Sequence, residues 1–159
     1  MESKKMKYID FKKDFPKRTI DILKNYKGKY EVTLLINCLT ALLILPKEKF
    51  YDQIPDVDIK NLNGWGIKRV HVRQVSCTSC GYNLKNIVRH MRNAIAHMKI
   101  DTASDNNGNV DMIRFRDRNG FKMEIPVDDL RTFVKELAQY VIKAAKVSSR
   151  KVSSSSMTK

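Results

Sequence analysis

The sequence is short of the residues that break or staple a chain: 159 positions hold four prolines, six glycines and three cysteines. So few breakers disfavour a turn-rich β fold and favour helices. Cys38, Cys77 and Cys80 are an odd and sparse set for a secreted disulfide scaffold, and a reducing cytoplasm is the simpler setting. An export signal is lacking too, because Met1-Glu2-Ser3-Lys4-Lys5 has no apolar stretch behind it. The longest apolar run, Val32 to Leu45, is interrupted by Thr33, Asn37 and Thr40. It falls short of the roughly 20 residues that a membrane span needs and reads as a buried helix. Gly-rich phosphate loops, His-Glu-x-x-His helices and Ser nucleophile elbows do not occur, which removes three common catalytic plans.

One absence is local. Between Asp58 and Asp101 there is no acidic residue, while Lys60, Lys68, Arg69, Arg73, Lys85, Arg89, Arg92 and Lys99 fall inside that stretch. Ion pairing within the segment cannot neutralise it. On a chain of net charge +14, this points to a polyanionic partner, and phosphate binding is the reading for the middle segment. The two ends are lysine-rich as well, but Asp10, Asp14 and Asp21 partly offset the first thirty residues.

What is present is helical periodicity. Lys17 to Lys27 carries Ile20, Ile22, Leu23 and Tyr26 after Pro16, which suits a first helical turn, and Gly28 closes it. Tyr30 to Leu45 forms a second, mostly apolar helix ended by Pro46. Its threonines fit back-bonding to helix carbonyls; Asn37 would need partners for both ends of a buried amide and could brace a site. Lys47 to Ser76 lacks periodicity, with turns marked by Pro55, Asn61, Asn63, Gly64 and Gly66 and room for one short helix. Tyr82 to about His97 is the third helix, with a core stripe of Leu84, Ile87, Val88, Met91, Ala94, Ile95 and Met98. Two strands, Val110 to Arg116 and Phe121 to Ile125, follow as a hairpin through Asn119-Gly120. Val127 to Lys146 is the last helix, with Asp128 and Asp129 near its positive end. Residues 148–159 read as a disordered Ser- and Lys-rich tail. The expected fold is all-α: one bundle of four to five helices over residues 1–147, with a small β-hairpin before the last helix.

The third helix carries the chemistry. At about 100° per residue, Arg89, Asn93, Ala96 and His97 lie opposite the apolar stripe, with Arg92 at its flank. RNA brings its own nucleophile, the 2′-hydroxyl beside the scissile phosphate. His97 could take that proton or supply one to the 5′-oxygen leaving group. Arg92 could hold the charge that builds on the phosphorus oxygens, with Asn93, Arg89, Lys85 and Asn37 in support. No metal or cofactor is needed, and DNA, lacking the 2′-hydroxyl, would not be cut. Arg92 and His97 stand about 140° apart on a straight helix. They converge if the helix ends near His97 or if a two-fold partner supplies the complement, so a homodimer with a composite site is expected.

Arg92-Asn93-Ala94-Ile95-Ala96-His97 at the end of an amphipathic helix, before a hairpin and a further helix, resembles the HEPN superfamily (higher eukaryote and prokaryote nucleotide-binding), whose signature is Arg, a polar residue and then His. Tyr30 to Asn37 with Leu45-Pro46-Lys47-Glu48, and Val127 to Phe133, look like the small single-domain HEPN proteins of bacterial chromosomes and plasmids. The resemblance spans roughly residues 15 to 145. It implies a four-to-five-helix bundle, dimerisation through the motif helices, and metal-independent endoribonuclease activity. Arg92 and His97 then take the paired catalytic roles and Asn93 the polar position. It also implies a toxin or anti-phage setting with an antitoxin or defence partner. The subgroup silenced by nucleotide transfer carries a tyrosine two residues past the histidine, where this chain has Lys99.

Other readings of the same residues are a HEPN domain that binds RNA or a partner protein without cutting, and a basic DNA-binding regulator. Cys77-Thr78-Ser79-Cys80 has the spacing of half a zinc knuckle, but His71 and His90 would have to complete it at unsuitable spacings. His90 itself reads as a surface or phosphate-contacting residue.

Overall fold

The computed structural model describes residues 8–44, 54–75, 81–118 and 120–155. Helices α1 (Phe11–Asn25) and α2 (Glu31–Ile44) come first, followed by two 3-10 turns, Ile59–Asn61 and Arg69–His71, and a short strand β1 (Val72–Gln74). Then come α3 (Leu84–Ala96), β2 (Ile100–Ser104), β3 (Val110–Arg116), β4 (Lys122–Pro126) and α4 (Val127–Ser155).

The strands form one antiparallel sheet in the order β1-β4-β3-β2, so the chain is mixed α/β and the all-α expectation is wrong. The error has a physical source. The two central strands alternate as half-buried strands should: Ile113, Phe115, Met123 and Ile125 point inward with no exposed surface, and Ile113 pairs with Ile125 as Phe115 does with Met123. Arg114 and Glu124 pair on the outer face, 3.0 Å apart, and Arg73 joins the same carboxylate at 3.2 Å. The edge strands give no such signal. Ile100-Asp101-Thr102-Ala103-Ser104 is mostly exposed, and Val72-Arg73-Gln74 buries only its first residue. What read as an isolated hairpin is the middle of a sheet.

The helices cover the sheet because of where their apolar stripes fall. α3 packs on β3 and α2, while α4 packs on β3, β4, α1 and α2. α2 buries Leu35, Cys38, Leu39, Leu42 and Leu43, and the Thr40 hydroxyl donates back to the Ile36 carbonyl at 2.8 Å, as expected for that stripe. α1 starts earlier than the apolar pattern implies, with Pro16 inside it. Asp14 explains the early start: its carboxylate accepts the amides of Ile9 and Asp10 at 2.9 and 3.2 Å, satisfying donors the first turn leaves open. α4 runs to Ser155, past Ser148, where the sequence pattern begins a disordered tail. Among the described residues, no helix is long and apolar enough to cross a membrane.

The loop between the two 3-10 turns is fixed against α4 by glycine. Gly66 has φ 73°, and a Cβ there would stand 2.2 Å from the Asp129 carbonyl and 3.0 Å from the Phe133 amide. Only a residue without a side chain lets this loop press against the first turn of α4.

Candidate active site

α3 is set at both ends by polar side chains and backbone closure. Asn83 caps its start, accepting the Lys85 amide at 2.8 Å, and its own amide donates to Asp56. The helix stops at Ala96, with His97 as the capping residue at φ −103° and ψ 13°. Beyond it the Met98 amide bonds the Ile95 carbonyl at 3.1 Å and the Lys99 amide bonds the Ala94 carbonyl at 2.7 Å. This crossed pair is a Schellman closure. Its left-handed position is normally glycine, but here it is Met98, at φ 52°. The helix therefore ends at His97, one of the two conditions under which Arg92 and His97 can serve a common site.

The core face of α3 buries Leu84, Ile87, Val88, Met91, Ala94 and Ile95, as their spacing implies, while Met98 is 88% exposed. The opposite face presents Lys85, Arg89, Arg92 and Asn93, all half-buried, with Ala96 and His97 exposed at the end. Lys85, Arg89 and Arg92 are spaced by four and three residues, so they form one basic row along the helix. Among the described residues, Arg89 makes no ion pair and the His97 ring makes no hydrogen bond. A histidine so placed can take its polar partner from a substrate.

Asn37 is not part of this group. It lies exposed on α2, so the buried-amide argument for it does not apply. His90 is also not a surface residue, as its place in the sequence implied. It is 3% exposed, its ring stacks on Phe121 at 4.7 Å and 13°, and Nδ1 lies 2.8 Å from the Asp117 carboxylate. The wheel places His90 at the edge of the core stripe, and the β3–β4 turn closes over that edge.

Asp117 joins the candidate site from outside α3, and no sequence pattern marks it. It follows β3 and reads as an ordinary turn residue; nothing local shows that its carboxylate reaches back 24 residues to accept from Asn93 Nδ2 at 3.0 Å. Burial pushes its pKa up, but hydrogen bonds from His90, Asn93 and the Arg118 amide, and the charge of His90, outweigh this and hold it below the usual carboxylate value. The carboxylate stays ionised among its partners.

The acid-free middle segment is less bare in three dimensions than in sequence. Lys68 pairs with Asp129 at 2.8 Å, Arg69 with Asp58 at 3.5 Å and Arg73 with Glu124 at 3.2 Å. Arg69 also lies over the Tyr82 ring at 4.1 Å. On α3, Arg89 adds a cation that makes no ion pair among the described residues. His71, the other candidate zinc ligand, is buried, with Nδ1 accepting the Lys68 amide at 3.2 Å and Nε2 3.3 Å from Asp129. Cys77 and Cys80 lie outside the described residues. A cavity of about 470 Å³ is lined by the loop from Ile59 to Arg69 with Asp129 and Thr132, and no residue of α3 contributes to it. The candidate site is instead an open helix face, suited to an extended ligand.

A family model described as HEPN pEK499 p136 matches residues 1–148. Searches among curated proteins and among solved structures give no match.

Proposed function

The chain belongs to the HEPN family described as HEPN pEK499 p136, and from that premise we propose that it is a metal-independent endoribonuclease. One observation carries the reading: His97 stands exposed at the capping position of α3, its ring without a protein partner among the described residues, at the end of the row Lys85, Arg89 and Arg92. The row binds the phosphates and sets the strand's register. His97 removes the proton from the 2′-hydroxyl, whose oxygen forms a bond to the adjacent phosphorus. The bond from phosphorus to the 5′-oxygen breaks, and that oxygen leaves with a proton. The products are a 2′,3′-cyclic phosphate and a 5′-hydroxyl. Arg92 holds the charge of the pentacoordinate phosphorus with paired, charge-assisted hydrogen bonds.

Base and acid are two tasks, and one exposed histidine on one helix performs one of them at a time. A second copy of this chain, docked with its α3 beside the first across a two-fold axis, supplies the other His97 and a second Arg92. An RNA-cutting site of this kind is harmful unless restrained, which fits a toxin or anti-phage effector with a cognate antitoxin or defence partner. The test is cleavage of structured and unstructured RNA in excess EDTA by the wild type and by His97→Ala. Cutting that survives chelation and is lost in the variant supports the reading.

A second reading, a HEPN domain that binds RNA or a partner protein without cutting, is favoured by one observation. Asn93, at the motif's polar position, is turned toward Asp117 instead of outward. This reading expects intact RNA and tight, salt-sensitive binding that is indifferent to His97→Ala.

A further inference from the structure

We propose that Asp117 is a positioning residue for His97, acting from the β3–β4 turn on the turn that ends α3; its catalytic consequence rests on the ribonuclease reading above. Arg116 and Asp117 are consecutive, and they hold the two sides of the His97–Met98 turn. On one side Asp117 accepts from Asn93 Nδ2 at 3.0 Å, and the Asn93 carbonyl accepts the His97 amide at 3.0 Å. On the other side the Arg116 amide donates to the Lys99 carbonyl at 3.0 Å. Between these anchors Met98 adopts φ 52°, a conformation that costs any residue with a Cβ, and its 88% exposure means no packing compensates it. The turn is held in place from its flanks.

The clamp is itself buried. Asp117 and His90 side chains are each 4% exposed, they meet at 2.8 Å, and the His90 ring lies flat on the buried Phe121. A carboxylate fixed from behind by His90 can fix Asn93 in front. The closure at the end of α3 therefore has outside support, from two residues at a strand end that the motif does not contain.

Asp117→Asn keeps the size and removes the charge that both partners bond. The variant and the wild type are compared by amide hydrogen exchange and by steady-state RNA cleavage. Exchange at His97, Met98 and Lys99 is expected to speed by about tenfold or more while Ile87 to Met91 stay protected, because only the turn opens. In cleavage, kcat falls by about tenfold or more with KM within about twofold, as a displaced general base loses rate without losing substrate. Adding Met98→Gly to Asp117→Asn restores most of kcat, since glycine adopts the positive φ without the Cβ strain that the clamp opposes. Asn93→Ala reproduces the Asp117→Asn effect, and the double variant is no worse than either single one. Should Asp117→Asn fail to fold, Asn93→Ala carries the same comparison. A variant with lowered Tm but wild-type exchange at the turn and wild-type kcat overturns the proposal and leaves Asp117 a fold-stabilising residue. If the wild type cuts no RNA, the exchange result still decides the clamp, and the ribonuclease reading fails separately.

Discussion

The Lys99 amide lies 2.7 Å from the Ala94 carbonyl, and this closure turns the chain out of α3 immediately after His97 and into β2. Met98 sits inside the closure in the left-handed region, at φ 52°. That conformation costs roughly 1–2 kcal/mol for a residue with a Cβ. Replacing it with glycine gives back roughly 0.5–1 kcal/mol as unfolded-chain entropy. Met98→Gly is therefore expected to stabilise the protein by about 0.5–1 kcal/mol, read as an upward shift of the urea midpoint at unchanged m-value. A destabilised variant would mean that the Met98 side chain makes contacts its exposure does not show.

Arg89 is the cation on the α3 row whose loss should act through RNA alone, because no ion pair within the described residues breaks with it. Arg89→Ala is expected to weaken binding of single-stranded RNA evenly across sequences. It should also reduce the slope of log K against log salt by about 0.7, the value for one phosphate contact on a single strand. Titrations at several salt concentrations check this. An unchanged slope would place the RNA path elsewhere.

Arg92 is expected to act differently. Arg92→Lys keeps the charge but loses the planar fork that bonds two phosphate oxygens. It should retain RNA binding while lowering kcat by about tenfold or more, the order seen when one donor to developing charge is lost. Equal loss in kcat/KM and in affinity would instead mark Arg92 as a binding contact.

Gly66 predicts the cost of disturbing the loop against α4. A Cβ at this position meets the Asp129 carbonyl at 2.2 Å, and φ is 73°. Gly66→Ala is expected to destabilise by about 2–4 kcal/mol, from backbone strain and displaced packing together. Gly64→Ala has the same sign of φ but nothing within 4 Å, and should cost about 1 kcal/mol. Denaturant midpoints of the pair separate strain from collision.

Asp117 and His71 each contribute to stability against pH with a known sign. The folded carboxyl of Asp117 is held low, so its contribution is fully present above the unfolded carboxylate value and lost as pH falls through the lower folded value. His71 is held below the usual histidine value, by burial first, against the pull of Asp129 and aided by Lys68 and Arg73. A histidine kept neutral when folded binds protons more readily unfolded, so it lowers stability as pH falls below about 6.5. His71→Asn should flatten the decline that starts near that pH, and Asp117→Asn the decline at more acid pH.

The parts of this structure legible in the sequence are those that repeat. α3 shows its core stripe and its basic row because both recur at helical spacing, and β3 and β4 show alternation because each buries one face. The edge strands do not, since β1 contributes one buried side chain and β2 is mostly exposed. The end of α3 near His97 was legible from where the apolar stripe stops, although the glycine that usually marks such an end is replaced by Met98. His90 and Asp117 form one buried pair across 27 residues, and each alone reads as a surface group. The basic row and the motif were legible because one helix carries them; the clamp on the turn after the motif was not, because it depends on how the sheet folds back.

The most direct test of the account is cleavage, in excess EDTA, of an RNA oligonucleotide and of the same oligonucleotide with a single 2′-deoxy nucleotide at the cut position. The wild type is expected to cut the RNA to 2′,3′-cyclic phosphate and 5′-hydroxyl ends, His97→Ala to lower the rate by about 10²–10⁴, and the substituted linkage to stay intact. Cutting at the 2′-deoxy position, or cutting by His97→Ala at the wild-type rate, would contradict it.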